Sequence, residues 1–236
     1  MTEPSVGNAL VTSSLSPEFK SAVRRQTSLL APIERICLNW IAGKLPAWVK
    51  PDHLTLIGFS AMLLAGIAYG TARWWAPALL LVNLLLAMNW FGDSLDGTLA
   101  RVRERQRPRY GFYVDHIIDA FGILFVICGL ALSGYMSWSI GMAVLVVYFM
   151  ISIEVYLATY TIGTFKLSFC KISPTELRIL LAIGNIRAFS HPTVNVFGER
   201  YLFFDVAALI TIALMAMVLV VSVTRNTIIL YRAERV

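Results

Sequence analysis

Charge is what this sequence has least of. Of its 236 residues only 14% are Asp, Glu, Lys or Arg, 58% are apolar, and the mean hydropathy is +0.70. A soluble domain carries about 25% charged residues, so an ordinary soluble globular fold is excluded. Cysteine is scarce too. Cys37, Cys128 and Cys170 are scattered, odd in number and without metal-ligand spacing, which speaks against a disulfide framework or a thiolate metal site. Residues 1–15 are polar and rich in Ser and Thr, and no apolar stretch of signal length follows directly. No cleavable signal peptide is therefore expected, and the first span is expected to act as the insertion signal. Internal repeats and low-complexity segments are lacking.

What is present is apolar chain in span-sized runs. The length leaves room for about six spans of roughly 20 residues. The sequence predicts an all-α integral membrane protein of about six transmembrane helices, with an N-terminal amphipathic interfacial helix. Residues 1–16 are expected to be disordered, 17–50 to form interfacial amphipathic helices, 51–225 to form the six-helix membrane domain, and 226–236 to form a cytoplasmic tail. In the interfacial stretch Ile33, Ile36, Cys37, Trp40 and Ile41 recur at helical spacing. The predicted spans start near Leu54, Trp74, Phe112, Trp138, Ile179 and Leu202. The fifth is the weakest, because Asn185, Arg187 and His191 follow its apolar run so quickly. The formal charge of +6 does not call for nucleic acid. With the N-terminus inside, every Lys and Arg except Arg73, Arg187 and Arg200 falls on a cytoplasmic segment, a strong positive-inside bias. Both termini are thus expected in the cytoplasm.

One stretch concentrates the acidic residues. Asp93 and Asp96 share a helix face (i, i+3), as do Asp115 and Asp119 (i, i+4). Two helices that meet would aim four carboxylates at one point. Such a group needs protons or cations, and oxygen donors without nearby thiolates favour a hard cation, Mg²⁺ or Mn²⁺. His116 is adjacent but lies off the Asp115/Asp119 face. Intramembrane carboxylates also build cation pathways, so an intramembrane transporter or channel is the competing reading. It is disfavoured because the carboxylates cluster at one side and no inverted repeat is visible. An Asp-rich prenyltransferase would need two well-separated motifs, and here all four aspartates lie in one run.

Written as D-x2-D-G-x2-A-R-x9-G-x3-D-x3-D, the run from Asp93 through Asp96, Gly97, Ala100, Arg101, Gly111 and Asp115 to Asp119 resembles the signature of the CDP-alcohol phosphotransferases. All eight signature residues are in place. The departures are a nine-residue linker where eight is commonest, and Asp52 in place of the Asn of a Pro-Asn-x-x-Thr run before the first span. The resemblance implies a phospholipid-synthesising membrane enzyme that transfers a substituted phosphate from a CDP-linked donor to an alcohol and releases CMP. One of the two substrates would be a lipid, with membrane lipids around it and a homodimer as the assembly. It implies Mg²⁺ or Mn²⁺, as two ions, held by Asp93, Asp96 and Asp115, with Asp119 as general base and further ligand. Gly97, Ala100 and Gly111 would let the nucleotide approach the backbone, and Arg101 would supply a fixed cation.

Other residues carry two readings each. Thr55 either contacts the nucleotide or caps its helix. His116 orients a ligand, meets the acceptor, or packs. Glu176 and Arg178 resemble a Glu-x-Arg element and either bind the polar substrate or pair structurally. Lys166 binds an anionic head group or only sets topology, as does Lys171. The alternate arginines at 103–109 read mainly as a solvated or headgroup-facing charge run. Asp115-His116 resembles the choline/ethanolamine subclass, but the donor stays open between CDP-diacylglycerol and a CDP-linked small alcohol. The site is expected on the cytoplasmic side of the membrane, the inner or plasma membrane if the source is bacterial.

Overall fold

Proline marks where several helices begin. Pro51 and Pro108 each sit in the first turn of a helix, and Pro174 is the first residue of another. The fixed φ suits that position, and the missing N–H would have no intrahelical partner there. A computed structural model of the chain describes residues 31–162 and 174–234. The expectations for residues 1–30, Lys166, Lys171 and Cys170 lie outside the described residues.

Along the described chain run α1 (Ala31–Lys44), α2 (Pro51–Thr71), α3 (Ala78–Val102), α4 (Pro108–Leu132), α5 (Trp138–Ile162) and α6 (Pro174–Ser190). An antiparallel hairpin of β1 (Thr193–Val196) and β2 (Glu199–Leu202) then leads into α7 (Phe203–Ala233). Among the described residues, α2, α3, α4, α5 and α7 are long and apolar enough to cross a membrane. The protein is a mostly all-α, membrane-type fold, as expected. The hairpin was not foreseen. It turns at Phe197 and Gly198, both with positive φ, the backbone that a two-residue hairpin turn demands.

The predicted weak fifth span corresponds to α6, which has 17 residues. Its polar residues are accounted for by contacts. Asn185 is fully buried, accepts from Tyr69 Oη at 2.8 Å and donates to Asn83 Oδ1 at 2.7 Å. Asn83 in turn donates to the Ala182 carbonyl at 3.2 Å. A buried amide without partners would cost about 1–3 kcal/mol. This chain of bonds removes that cost and fixes α6 against α2 and α3. Asp205, the one acidic residue near the start of the last predicted span, has a similar explanation. Its carboxylate accepts from Ser137 N at 2.7 Å and Ser137 Oγ at 2.5 Å, so α7 caps the start of α5.

Helix α2 packs against both α3 and α4, and glycine permits each crossing. A Cβ on Gly92 would lie 2.5 Å from the Leu54 carbonyl oxygen and 2.6 Å from Gly58 N. A Cβ on Gly129 would collide with the Gly66 carbonyl, and one on Gly66 with the Phe125 carbonyl. Without a hydrophobic drive between helices in lipid, such backbone proximity is a main source of association. One core cluster, including Tyr69, Leu79, Val82, Val126 and Leu130, fills the space between α2, α3 and α4. A second, of Leu38, Ala42, Leu54, Leu95 and Leu99, docks α1 on α2 and α3. The predicted α1 stripe of Ile36, Cys37 and Trp40 is turned outward instead, available to a lipid interface. On α7 only Phe204, Asp205 and Ala208 are buried. Leu209, Ile210, Leu214, Met217, Val220 and Val221 are exposed along it, an apolar face suited to lipid.

Gly129→Ala is expected to lower stability by about 1–3 kcal/mol through overpacking, read as a drop in Tm in detergent. Gly111→Ala, where a Cβ would meet nothing within 4 Å, should leave Tm unchanged. Equal melting of the two variants would overturn the crossing.

Candidate functional site

Helix α3 continues from its apolar run through the whole first half of the signature, to Val102. The continuation puts Asn89, Asp93 and Asp96 on successive turns of one face. Asp93 and Asp96 are half-buried. Thr55 on α2 donates to Asp96 Oδ2 at 2.5 Å, and the backbone N–H of Gly97 donates to Asp96 Oδ1. Thr55 is therefore brought to a carboxylate, and its hydroxyl also lies 3.2 Å from the Pro51 carbonyl in the first turn of its own helix. The neighbouring residues serve local structure. His53 Nδ1 accepts from Lys50 N at 3.3 Å across the start of α2, and Asp52 pairs with Arg107.

Arg178, from the second turn of α6, reaches the same face of α3. Its Nη2 donates to Asp93 Oδ2 at 2.6 Å and its Nε to Asn89 Oδ1 at 2.7 Å. Asn89 is buried and donates to the Gly58 carbonyl at 3.0 Å. The structure thus gives Arg178 an ion pair with a signature aspartate. Asn89 was missed in the sequence. The signal was available, since it lies four residues before Asp93 and so one turn along the same face. Glu176 lies half-buried in the first turn of α6, where a negative charge meets the positive end of the helix dipole.

Helix α4 carries Gly111, Asp115, His116 and Asp119. Asp115 and His116 are half-buried, and Asp119 is exposed. Asp96 lies within electrostatic reach of both Asp93 and Asp115, so the α3 and α4 carboxylates do share one field. On the far side, Asp115 and Asp119 act on Tyr148 and Tyr156 of α5. His116 shares Tyr156 with these two carboxylates. Its Nδ1 is 2.7 Å from the Phe112 carbonyl, and its ring packs 4.2 Å from that of Phe112 and 5.2 Å from that of Tyr156.

The small residues are not at helix crossings. A Cβ on Gly97 would meet only Arg101 Nη1, at 3.5 Å, and one on Gly111 nothing within 4 Å. Arg101 lies back along α3, with Nη2 donating to Thr98 Oγ1 at 2.9 Å. The arginine run is mostly exposed, as expected, and Arg103 is the half-buried exception. Arg103 donates to the carbonyls of Leu45 and Pro46 at 2.9 Å each and to that of Val49, binding the link between α1 and α2. Arg107 pairs with Asp52 and lies over the Tyr110 ring. Backbone carbonyls draw Arg103 partly out of solvent, while Arg107 stays exposed beside Asp52.

Asp93, Asp96, Asp115 and Asp119 offer only oxygen donors. The donor set fits a hard divalent ion. Among the described residues, no three His, Cys, Asp or Glu side chains stand as a ready-made ligand group. Asp93 is tied to Arg178 and Asp96 to Thr55 and Gly97.

The fold is that of a mostly all-α, membrane-type protein, with Asp93, Asp96, Asp115 and Asp119 carried on two of its helices. Residues 48–224 match the CDP-alcohol phosphatidyltransferase family, and the chain belongs to that family. It is 32% identical over 123 residues to an archaetidylinositol phosphate synthase of Pyrococcus horikoshii, covering 51% of this chain and 59% of that protein. It is 27% identical over 171 residues to cholinephosphotransferase 1 of Xenopus laevis (66% and 40%). It is 34% identical over 125 residues to a CDP-diacylglycerol–serine O-phosphatidyltransferase of Encephalitozoon cuniculi (51% and 32%). The chain spans less than two thirds of the length of each of these relatives.

Arg178→Met should lower stability by about 1–3 kcal/mol, the cost of leaving a partly buried carboxylate without its donor. Adding Asp93→Asn should recover part of that loss. The double-mutant cycle, measured by thermal melting, should show a coupling of about 0.5–3 kcal/mol. Additive losses would mean that the pair does not form.

Proposed function

We propose that this protein joins a CDP-linked donor to an alcohol, transferring a substituted phosphate group and releasing CMP, with one of the two substrates a lipid. The observation that carries the reading is the full set of signature residues inside the stretch that matches the family, with Asp96 on α3 within electrostatic reach of Asp93 and of Asp115 on α4. The acceptor hydroxyl oxygen attacks the donor phosphorus beyond the diphosphate bridge. The bond from that phosphorus to the bridging oxygen breaks, and the electron pair leaves on CMP. Asp119 takes the hydroxyl proton as general base. Asp93, Asp96, Asp115 and Asp119 would hold two Mg²⁺ or Mn²⁺ ions, whose chemistry when bound is neutralisation of charge on the diphosphate and its leaving group.

The remaining residues bind and orient. The open backbone at Gly97 and Gly111 leaves room for the nucleotide on either side of the carboxylates, with Ala100 one turn on along α3. Arg101, held on Thr98, adds a fixed positive charge at the diphosphate. Thr55 holds the Asp96 carboxylate in orientation. Arg178 keeps Asp93 in place, and Glu176 and His116 border the acceptor side. The homodimer implied by the family resemblance belongs to the same proposal. The relatives' names include both an inositol or serine type and a choline type, so both donor classes are to be assayed.

Purified protein in lipid micelles with Mg²⁺ is expected to release CMP from one of two mixtures. One is CDP-diacylglycerol with pooled alcohols. The other is CDP-choline or CDP-ethanolamine with diacylglycerol. Asp96→Ala should abolish release, and Asp119→Ala should lower it by roughly 10²- to 10⁴-fold, the usual worth of a general base. Full release by Asp119→Ala would remove it from that role. The proposed orientation is tested in a cysteine-free background. Arg105→Cys should react with a membrane-impermeant maleimide only from the cytoplasmic side and Phe197→Cys only from the other. Labelling of both from one side would overturn the orientation.

A further inference from the structure

Glu34 lies on α1, outside the stretch that matches the family. In the sequence it is only one of the polar residues between apolar ones. In the structure it is a half-buried junction. Its Oε1 accepts from Trp90 Nε1 at 2.7 Å, from Ser94 Oγ at 3.1 Å and from Thr175 Oγ1 at 3.2 Å. Trp90 and Ser94 are one turn apart on α3, and Thr175 is in the first turn of α6. One carboxylate oxygen therefore ties together three helices.

The registry of these donors gives the contact its meaning. Ser94 follows Asp93 directly, and Trp90 follows Asn89. Thr175 lies one turn before Arg178. Asp93 and Asn89 are the two residues on which the Arg178 guanidinium closes. The same level of α3 is thus joined to α6 twice, once directly by Arg178 and once through Glu34. The direct link engages the Asn89/Asp93 face, and the Glu34 link engages the adjoining Trp90/Ser94 face. A guanidinium fork at 2.6–2.7 Å tolerates little drift of α6 along or around α3. Asn185 and the Ala182 carbonyl hold the middle of α6 against α2 and α3, and at its first turns the Glu34 tie on the neighbouring face adds to Arg178 in fixing the rotation of α6 against α3.

We propose that Glu34 is a positioning residue for the reaction proposed above. By accepting hydrogen bonds from α3 and α6 at once, it sets the placement of Asp93 against Arg178, and so the orientation of a carboxylate on the site's working face. The inference rests on that reading of the reaction, but the contact itself is tested without it. The apolar seating of Leu38 and Ala42 brings α1 to the bundle, and Glu34 turns that seating into a constraint on the site.

The test compares Glu34→Ala, Glu34→Gln and Thr175→Val in the full chain, assayed well below the Tm of each variant. CMP release is measured over a Mg²⁺ titration, with KM and kcat resolved for both substrates. Glu34→Ala is expected to lower kcat about tenfold and to raise the Mg²⁺ concentration for half-maximal rate severalfold. Glu34→Gln keeps an acceptor oxygen without the charge and should stay within about threefold of the parent on both counts. Wild-type kcat and Mg²⁺ dependence in folded Glu34→Ala would overturn the proposal, as would equal impairment of the Ala and Gln variants. In parallel, a Tm cycle between Glu34→Ala and Thr175→Val should be non-additive, and strict additivity would remove the contact. Parent protein that releases no CMP from any donor, with the Tm cycle still coupled, would refute the reaction and the positioning role together while leaving the contact standing.

Discussion

The near-contact of backbones where α2 crosses α3 is the constraint on which the rest of this structure depends. At Gly92 the two helices come so close that a Cβ would strike the Leu54 carbonyl and Gly58 N. That proximity lets the short Thr55 side chain bridge to Asp96 and lets Asn89 reach the Gly58 carbonyl. On its other side α2 makes an equally close crossing with α4, through Gly66 and Gly129. Helix α2 thus fixes both carriers of the carboxylates, α3 and α4, without carrying a signature residue itself. A small displacement of either crossing would move Asp96 relative to Asp115 before it disturbed any apolar contact, since lipid is as good a neighbour for Leu or Ile as another helix.

Electrostatics then decides how such a site persists in a membrane. Carboxylates gathered in a low-dielectric setting repel one another and cost free energy unless donors or cations compensate them. Two compensations are visible within the protein. Arg178 faces Asp93 with a full positive charge, and Thr55 with the Gly97 N–H faces Asp96 with dipoles. These partners differ in kind, and so would their behaviour towards an arriving cation. A hydroxyl that donates to one oxygen leaves the other lone pairs of that carboxylate in place. A guanidinium brings like charge to any incoming ion. Asp93 is on this ground the more strongly held of the two.

Much of this was legible in the sequence, for reasons that differ by residue. The helices with long apolar runs were, because hydropathy over some 20 residues is a sum that local exceptions do not overturn. The spacing of Asp93, Asp96, Asp115 and Asp119 was, because helical periodicity alone brings each pair to one face. The end of α3 was legible in part. The first half of the signature reads as helical through Ala100, and the helix runs on to Val102, carried by contacts of Leu95 and Leu99 with α1. The hairpin was hidden because four-residue strands leave little pattern, and its turn places Phe197 where Asn or Gly is usual. Arg103 read as surface charge because its acceptors, the carbonyls of residues 45–49, are distant in sequence and carry no side-chain signature. Glu34 was silent for the same reason. Its role depends on donors 56 to 141 positions away.

The polar groups buried in the membrane region divide into two kinds, and the division separates structure from chemistry. Asn185 is locked between Tyr69 and Asn83, and Asp205 spends both oxygens on Ser137. Glu154 accepts from Ser222 at 2.8 Å and Asn226 at 2.6 Å, joining α5 to α7. Each of these groups bonds to side chains or backbone of packed helices, so the contact holds the bundle together and would be lost only if helices separated. The signature aspartates differ in one respect. Their neighbours include each other, and mutual repulsion is not a contact that a fold would build for stability alone. A bundle built only to be stable would replace Asp115 or Asp96 with an apolar residue and gain by it. Keeping the group together makes physical sense where cationic or phosphate-bearing species come and go, which is the circumstance that membership of this family leads one to expect.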